Sequence, residues 1–124
     1  MALKRSYPNG LELRFIYGGT GILQIGGIIG GINDAFDTNY TWNDNQWYYV
    51  AFTRDGVGNW SLYVNGAAIS HGTGFTNSVG TSTNWQIGVM RGGGSNWFGS
   101  IDDVRIYNRA LSAAEISAMY NGGK

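Results

Sequence analysis

Hydrophobic and polar residues alternate along much of this chain with a period of two, the signature of half-buried strands. In residues 11–17, Leu11, Leu13, Phe15 and Tyr17 share one side. In residues 60–64, Trp60, Leu62 and Val64 do the same. The strongest strand is residues 47–53, which open on Trp47. Residues 22–25 form a short strand that the glycine-rich 26–31 run extends through a bulge, because glycine inside a strand often marks one. Residues 67–69, 85–89 and 100–107 supply three more strands.

Turn signals separate these segments. Residues 1–10 are a poorly ordered start or an edge strand, ending in Pro8-Asn9-Gly10. Residues 18–21 and 55–58 are glycine-containing turns, and Asn65-Gly66 is a strong hairpin signal because both residues tolerate positive φ. Residues 33–45 are rich in Asn, Asp and Thr and read as a long loop or a strand with irregular ends. Residues 70–83 are a polar loop that carries His71, and residues 91–95 are another loop. The period changes only once, at residues 112–120. There Ser112 and Glu115 have capping-box spacing, and Gly122-Gly123 supplies the stop. The pattern predicts an all-β domain over 1–124 with one short C-terminal helix.

Composition supports that class. Glycine accounts for 21 of 124 residues and proline for one, as expected of short strands joined by tight turns. Eight acidic residues balance eight Lys and Arg, so no net field recruits nucleic acid or an anionic membrane surface. No apolar run approaches the roughly 20 residues of a membrane span, and no signal-peptide pattern opens the chain. Cysteine is absent, which removes disulfides, thiol catalysis and cysteine-held zinc. The glycine run lacks every phosphate-loop spacing.

One strand carries an oddity. On residues 100–107, Asp102 falls on the same side as Val104 and Ile106, the side expected to be buried. A buried carboxylate requires backbone donors, a cation or a metal. Arg105 and Arg109 are the nearest candidate cations, and calcium is the candidate metal.

Several blocks occur in a characteristic order: Asn45 through Gly56, then Leu62-Tyr-Val-Asn-Gly66, then Ile87-Gly88, then Gly99 through Ile116 with its Ile101-Asp102-Asp103-Val104-Arg105-Ile106-Tyr107 core. Together they resemble the laminin-G-like, concanavalin A-like jelly-roll family of bacterial secreted and surface proteins, from about residue 11 to the end. The resemblance implies a two-sheet antiparallel sandwich and a non-catalytic module that binds glycans or proteins, often with one calcium ion, in an extracellular or cell-surface setting. It also implies strands ahead of residue 11 that this chain does not show. Missing strands leave edges and apolar faces uncovered, so a two-fold homodimer that completes the sheets is expected.

Catalysis finds no support in the residues. The acids are Glu12, Asp34, Asp37, Asp44, Asp55, Asp102, Asp103 and Glu115. None forms the same-face spacing of a retaining glycosidase pair. His71 stands alone, too little for a triad or a histidine-held zinc. Carbohydrate binding needs an aromatic platform and planar polar groups beside it. Trp47, Trp60 and Trp85 sit within strands and read as core, and Phe98 does so as well. Trp97 and Tyr40 lie in loops and are the candidate platforms, with Arg91, Asp34, Asp37 and Asn39 as polar contacts. No cofactor is required; calcium, if held, would fall to Asp102 or to the Asp34, Asp37 and Asn39 group. The rival reading is a structural or protein-interaction module that forms a homo-oligomer through exposed sheet surface and takes no small ligand.

Overall fold

The computed structural model describes residues 14–18, 22–29, 32–74, 76, 87–89 and 96–123, with side chains from Tyr40 onward. The strands are β1 (Arg14–Gly18), β2 (Ile22–Ile29), β3 (Ile32–Thr41), β4 (Val50–Arg54), β5 (Trp60–Val64) and β6 (Ala67–Gly72); one helix, α1 (Ala113–Gly122), follows. They build two antiparallel sheets, each a meander of three consecutive strands, β1-β2-β3 and β4-β5-β6. No helix among the described residues is long and apolar enough to cross a membrane.

In the first sheet, β2 takes in the start of the glycine-rich segment, as far as Ile29. Gly26 pairs with Ala35 and Gly27 with Asp34 in regular register. The expected bulge lies elsewhere: the register shifts between Leu23, opposite Tyr40, and Ile25, opposite Phe36. Asp37, Thr38 and Asn39 therefore stand against the single residue Gln24. The polar 33–45 stretch thus resolves as a strand with an irregular end, which stops at Thr41.

The second sheet holds the described core. Trp60, Leu62, Tyr63 and Val64 are buried. Adjacent residues of opposite parity are both covered, so side chains on both faces of β5 are packed. Phe52 stacks on Trp60, with centroids 6.3 Å apart and an interplanar angle of 20°, a diagonal cross-strand contact of the kind that stabilises sheets. The β4–β5 turn is tied by Asp55: Oδ1 accepts from the N–H groups of Val57 (3.0 Å) and Asn59 (2.8 Å), and Oδ2 accepts from the Asn59 side chain (2.7 Å). These bonds, chiefly those from Asn59, hold the Asp55 carboxyl below its usual range. Asn65 (φ 51°) and Gly66 (φ 79°) make the β5–β6 turn with both residues left-handed, the type I′ geometry the dipeptide predicts. Asn65 also grips the start of β4: its N–H donates to the Tyr49 carbonyl (2.8 Å), and its Oδ1 accepts from the Tyr49 N–H (3.0 Å).

The capping box forms as read. Ser112 Oγ accepts from the Glu115 N–H, and Glu115 Oε2 accepts from the Ser112 N–H at 2.8 Å. Arg109 adds a two-pronged ion pair to the same carboxylate, at 3.0 and 2.5 Å. Arg109, then the Ser112 backbone and hydroxyl, pull Glu115 from 4.5 down to about 2. A carboxylate whose folded pKa is depressed contributes stability that is complete above its unfolded pKa and is lost as pH falls through the folded one. The melting temperature of the wild type is therefore expected to fall more than that of Glu115→Gln between pH 5 and pH 2, with the gap constant above pH 5. Thermal melts followed by circular dichroism check this; parallel curves would refute it.

The helix docks through Ile116, its one buried residue. Around it, Tyr120 lies 6.0 Å from Tyr49 between ring centroids, and Met119 Sδ accepts from the Tyr107 hydroxyl at 3.3 Å. Burial, then the neighbouring Tyr107, raises the Tyr49 phenol above its ordinary value.

Four expectations change. Residues 100–107 belong to neither sheet, and Asp103 interrupts them with φ 49°. Ile101, Val104 and Ile106 are exposed, the last two at 52% and 62%. An alternating sequence supplies strand propensity, but a strand forms only against a partner, and among the described residues no strand is hydrogen-bonded to this segment. Second, residues 87–89 form no strand; Val89 makes a single bridge to Asn96. Third, His71 sits on β6 opposite Ser61, because the hairpin pairing carries on to Gly72. Fourth, the strongest predicted strand begins at Val50 and not at Trp47. Residues 1–13 and 19–21, Trp85 and the 91–95 loop lie outside the described residues.

Candidate functional site

Between β3 and β4 the chain crosses residues 42–49, and here the structure gathers rings. Tyr40 meets Trp42 edge-on at 4.9 Å, Trp42 meets Tyr48 at 4.3 Å, and Tyr40 meets Tyr48 at 6.2 Å. Edge-to-face packing of this kind is the favoured aromatic geometry. The Tyr48 hydroxyl accepts from the Asn43 N–H (2.9 Å) and donates to Gln46 Oε1 (3.1 Å). Asn45 takes φ 60°, which asparagine tolerates better than most residues, so the loop turns tightly.

On this braced base Trp47 stands 69% exposed. It was expected in the core; the strand starts three residues later, and Trp47 projects from the loop instead. Asn43, Asp44, Asn45 and Gln46 beside it are exposed. The arrangement is an apolar plate flanked by planar amides and one carboxylate, held by three rings and two hydrogen bonds. The sequence held one signal for it: aromatics at 40, 42, 47 and 48 bracket four consecutive polar residues.

Of the residues expected at a site, Tyr40 is half-buried in the ring cluster and braces the loop. Trp97 is exposed, as a platform must be, and its backbone N–H donates to the Gly88 carbonyl at 2.8 Å. Its neighbour Phe98 was expected in the core and is 96% exposed. Asp34, Asp37 and Asn39 lie on β3, the last two within the irregular stretch next to Tyr40. Arg91 lies outside the described residues.

Asp102 is exposed and not buried, and neither Arg105 nor Arg109 is its partner. Its Oδ1 accepts from the Asp103 N–H at 2.7 Å. Arg105 pairs with Asp103 through Nη2 and Nε, each at 2.8 Å, while Arg109 pairs with Glu115. Calcium takes six to eight oxygens. Among the described residues no group of three acidic, histidine or cysteine side chains gathers.

The chain belongs to the concanavalin A-like lectin/glucanase superfamily: its Laminin_G_3 family model matches residues 2–117. No curated protein matches the chain. A solved structure similar to it is an S-layer domain-containing protein of Clostridium thermocellum ATCC 27405, residues 221–444. That likeness has a TM-score of 0.53 and 23% identity, and covers 97% of this chain and 67% of the other. It is a likeness of fold.

Proposed function

We propose that this chain is a non-catalytic, lectin-like binding module whose ligand is carbohydrate, read by the loop between β3 and β4. The observation that carries the reading is Trp47, exposed on a braced aromatic base with Asn43, Asp44, Asn45 and Gln46 around it. A sugar offers an apolar face of C–H groups and a rim of hydroxyls. The indole covers the first and planar amides orient the second. A preorganised loop loses little freedom on binding. Trp97 is a second platform in the same proposal. Membership of the superfamily supports both the module and the finer fold reading, in which the two sheets belong to a two-sheet jelly-roll sandwich.

The non-catalytic part of the proposal draws on the acids. Asp55 ties a turn, Asp103 pairs with Arg105, and Glu115 is held by Arg109 and the helix cap. Each is committed to local structure.

Calorimetric titration with soluble polysaccharides and oligosaccharides, with and without calcium, tests the proposal. Heat of binding is expected with at least one class, and Trp47→Ala should weaken it about tenfold, the equivalent of ~1.4 kcal/mol. An absence of heat with every glycan in both buffers would remove the carbohydrate reading. The second reading, self-association through exposed sheet surface, draws on a separate observation: Ile101, Val104 and Ile106 are exposed, although their segment belongs to neither described sheet.

A further inference from the structure

We propose that Met119 is a site of reversible oxidation by a peroxide, and that its sulfoxide latches α1 to Tyr49, just ahead of β4. The inference goes beyond glycan binding and does not depend on it.

Three segments of the chain meet at one sulfur. Met119 lies on α1, one turn beyond the buried Ile116. Its thioether accepts from the Tyr107 hydroxyl at 3.3 Å and, at a stretched 4.0 Å, from the Tyr49 hydroxyl. A thioether is a weak acceptor that fills apolar gaps well enough without any donor. Here two O–H donors converge on it. Burial, then Tyr107, raises the Tyr49 phenol, so that hydroxyl keeps its proton at neutral pH. The two distances differ in meaning. Tyr107 is already in contact with the sulfur. Tyr49 stands back by about the space that one oxygen atom takes up. An oxygen bonded to the sulfur on that side would meet the Tyr49 hydroxyl at ordinary O–H···O length, about 2.5–3.0 Å, with no movement of either backbone.

Met119 is half-buried and Tyr107 beside it is exposed, so the sulfur lies within reach of a molecule as small as hydrogen peroxide. A sulfur lone pair attacks one peroxide oxygen, and the S–O bond forms as the O–O bond breaks. Sulfur gives up two electrons and the peroxide takes them. The hydrogen on the transferred oxygen passes to the departing hydroxide, which leaves as water. A sulfoxide buried without a donor is costly, and oxidation of a packed methionine commonly disrupts its surroundings for that reason. Tyr49 supplies the donor here. A strong O–H···O bond takes the place of a weak O–H···S contact, so oxidation tightens the helix on the sheet instead of releasing it. Methionine sulfoxide reductases reverse the step.

Treatment of the full chain with hydrogen peroxide, followed by peptide mass mapping and thermal melts, tests the latch. Mapping is expected to find sulfoxide at Met119 as well as at Met1 and Met90, the other two methionines. The melting temperature should rise by about 4 °C, the shift that one added hydrogen bond gives a chain of this size. Met119→Leu keeps the apolar contact and loses the sulfur, so its melting temperature should not respond to peroxide. That separates position 119 from the other two. Tyr49→Phe removes only a hydroxyl, and in it oxidation should lower the melting temperature; circular dichroism before oxidation confirms its fold. An intact Met119 beside oxidised Met1 and Met90 would overturn the proposal. So would a fall in the wild-type melting temperature, an equal rise in Met119→Leu, or a rise in Tyr49→Phe as large as in the wild type.

Discussion

Ile116→Ala is expected to lower the stability of the folded chain by about 3 kcal/mol and its melting temperature by roughly 10 °C. Ile116 is 0% exposed and is the one residue that α1 buries. A helix of ten residues does not persist alone in water, so its presence depends on what this side chain finds on the sheet. Truncation removes three carbons from water-free surroundings and leaves a cavity that neighbours fill only in part. An opposing effect exists, because alanine favours helix over isoleucine by a few tenths of a kcal/mol. It is about tenfold too small to cancel the loss. The capping box is untouched by the substitution, so a destabilised variant isolates docking from helix formation. Urea unfolding measures the difference; a loss under about 1 kcal/mol would mean that the helix is not anchored here.

Gly66→Ala should cost about 2 kcal/mol, from two sources of similar size. The left-handed backbone (φ 79°) costs an L-residue about 1 kcal/mol. The new Cβ would also stand 2.9 Å from Tyr120 Cδ1 and 3.3 Å from its Cβ and Cγ. Contact at Cβ cannot be relieved by swinging the ring tip alone, so the helix end must shift, an overpacking cost of about 1 kcal/mol or more. Two comparisons separate the sources. Gly56→Ala, with nothing within 4 Å of its Cβ, should be close to neutral. In a Tyr120→Ala background the cost at position 66 should fall to the backbone part, about 1 kcal/mol. An unchanged cost in that background would refute the packing contribution.

Legibility in the sequence followed the range of the interactions. Asn65-Gly66 and the Ser112 and Glu115 cap are built from neighbours, so the residues that specify them also satisfy them. Residues 60–64 were equally readable: apolar residues at 60, 62 and 64 alternate, and all three are buried. Trp47 and Phe98 show where such reading stops. Their apolar character says that burial would be favourable, not that a partner is available, and the exposed Trp47 carries the proposed site. Residues 100–107 make the same point at the scale of a whole strand. The alternation is there, but the ladder that would turn it into a strand is not encoded within the segment. Likewise Asp102 was assigned a buried face from parity, and parity has no meaning without a sheet. The ring cluster of Tyr40, Trp42 and Tyr48 went unread for a related reason: Tyr40 and Trp42 are spaced as on one strand face, but Tyr48 lies beyond the polar residues 43–46, and nothing local joins it to them. It closes only because β3 ends irregularly and Asn45 turns the chain back.

The double tie between Asn65 and Tyr49 and the seat of Tyr120 over Gly66 have a kinetic side. The β5–β6 hairpin closes locally and fast, whereas the Tyr49–Met119 contact spans 70 residues. Long closures cost more entropy and come later. The hairpin is thus expected in place before the helix docks, and the helix is expected to open ahead of the hairpin. Amide exchange in α1 should then report a partial opening, while that of Leu62 and Val64 reports the full unfolding of the chain.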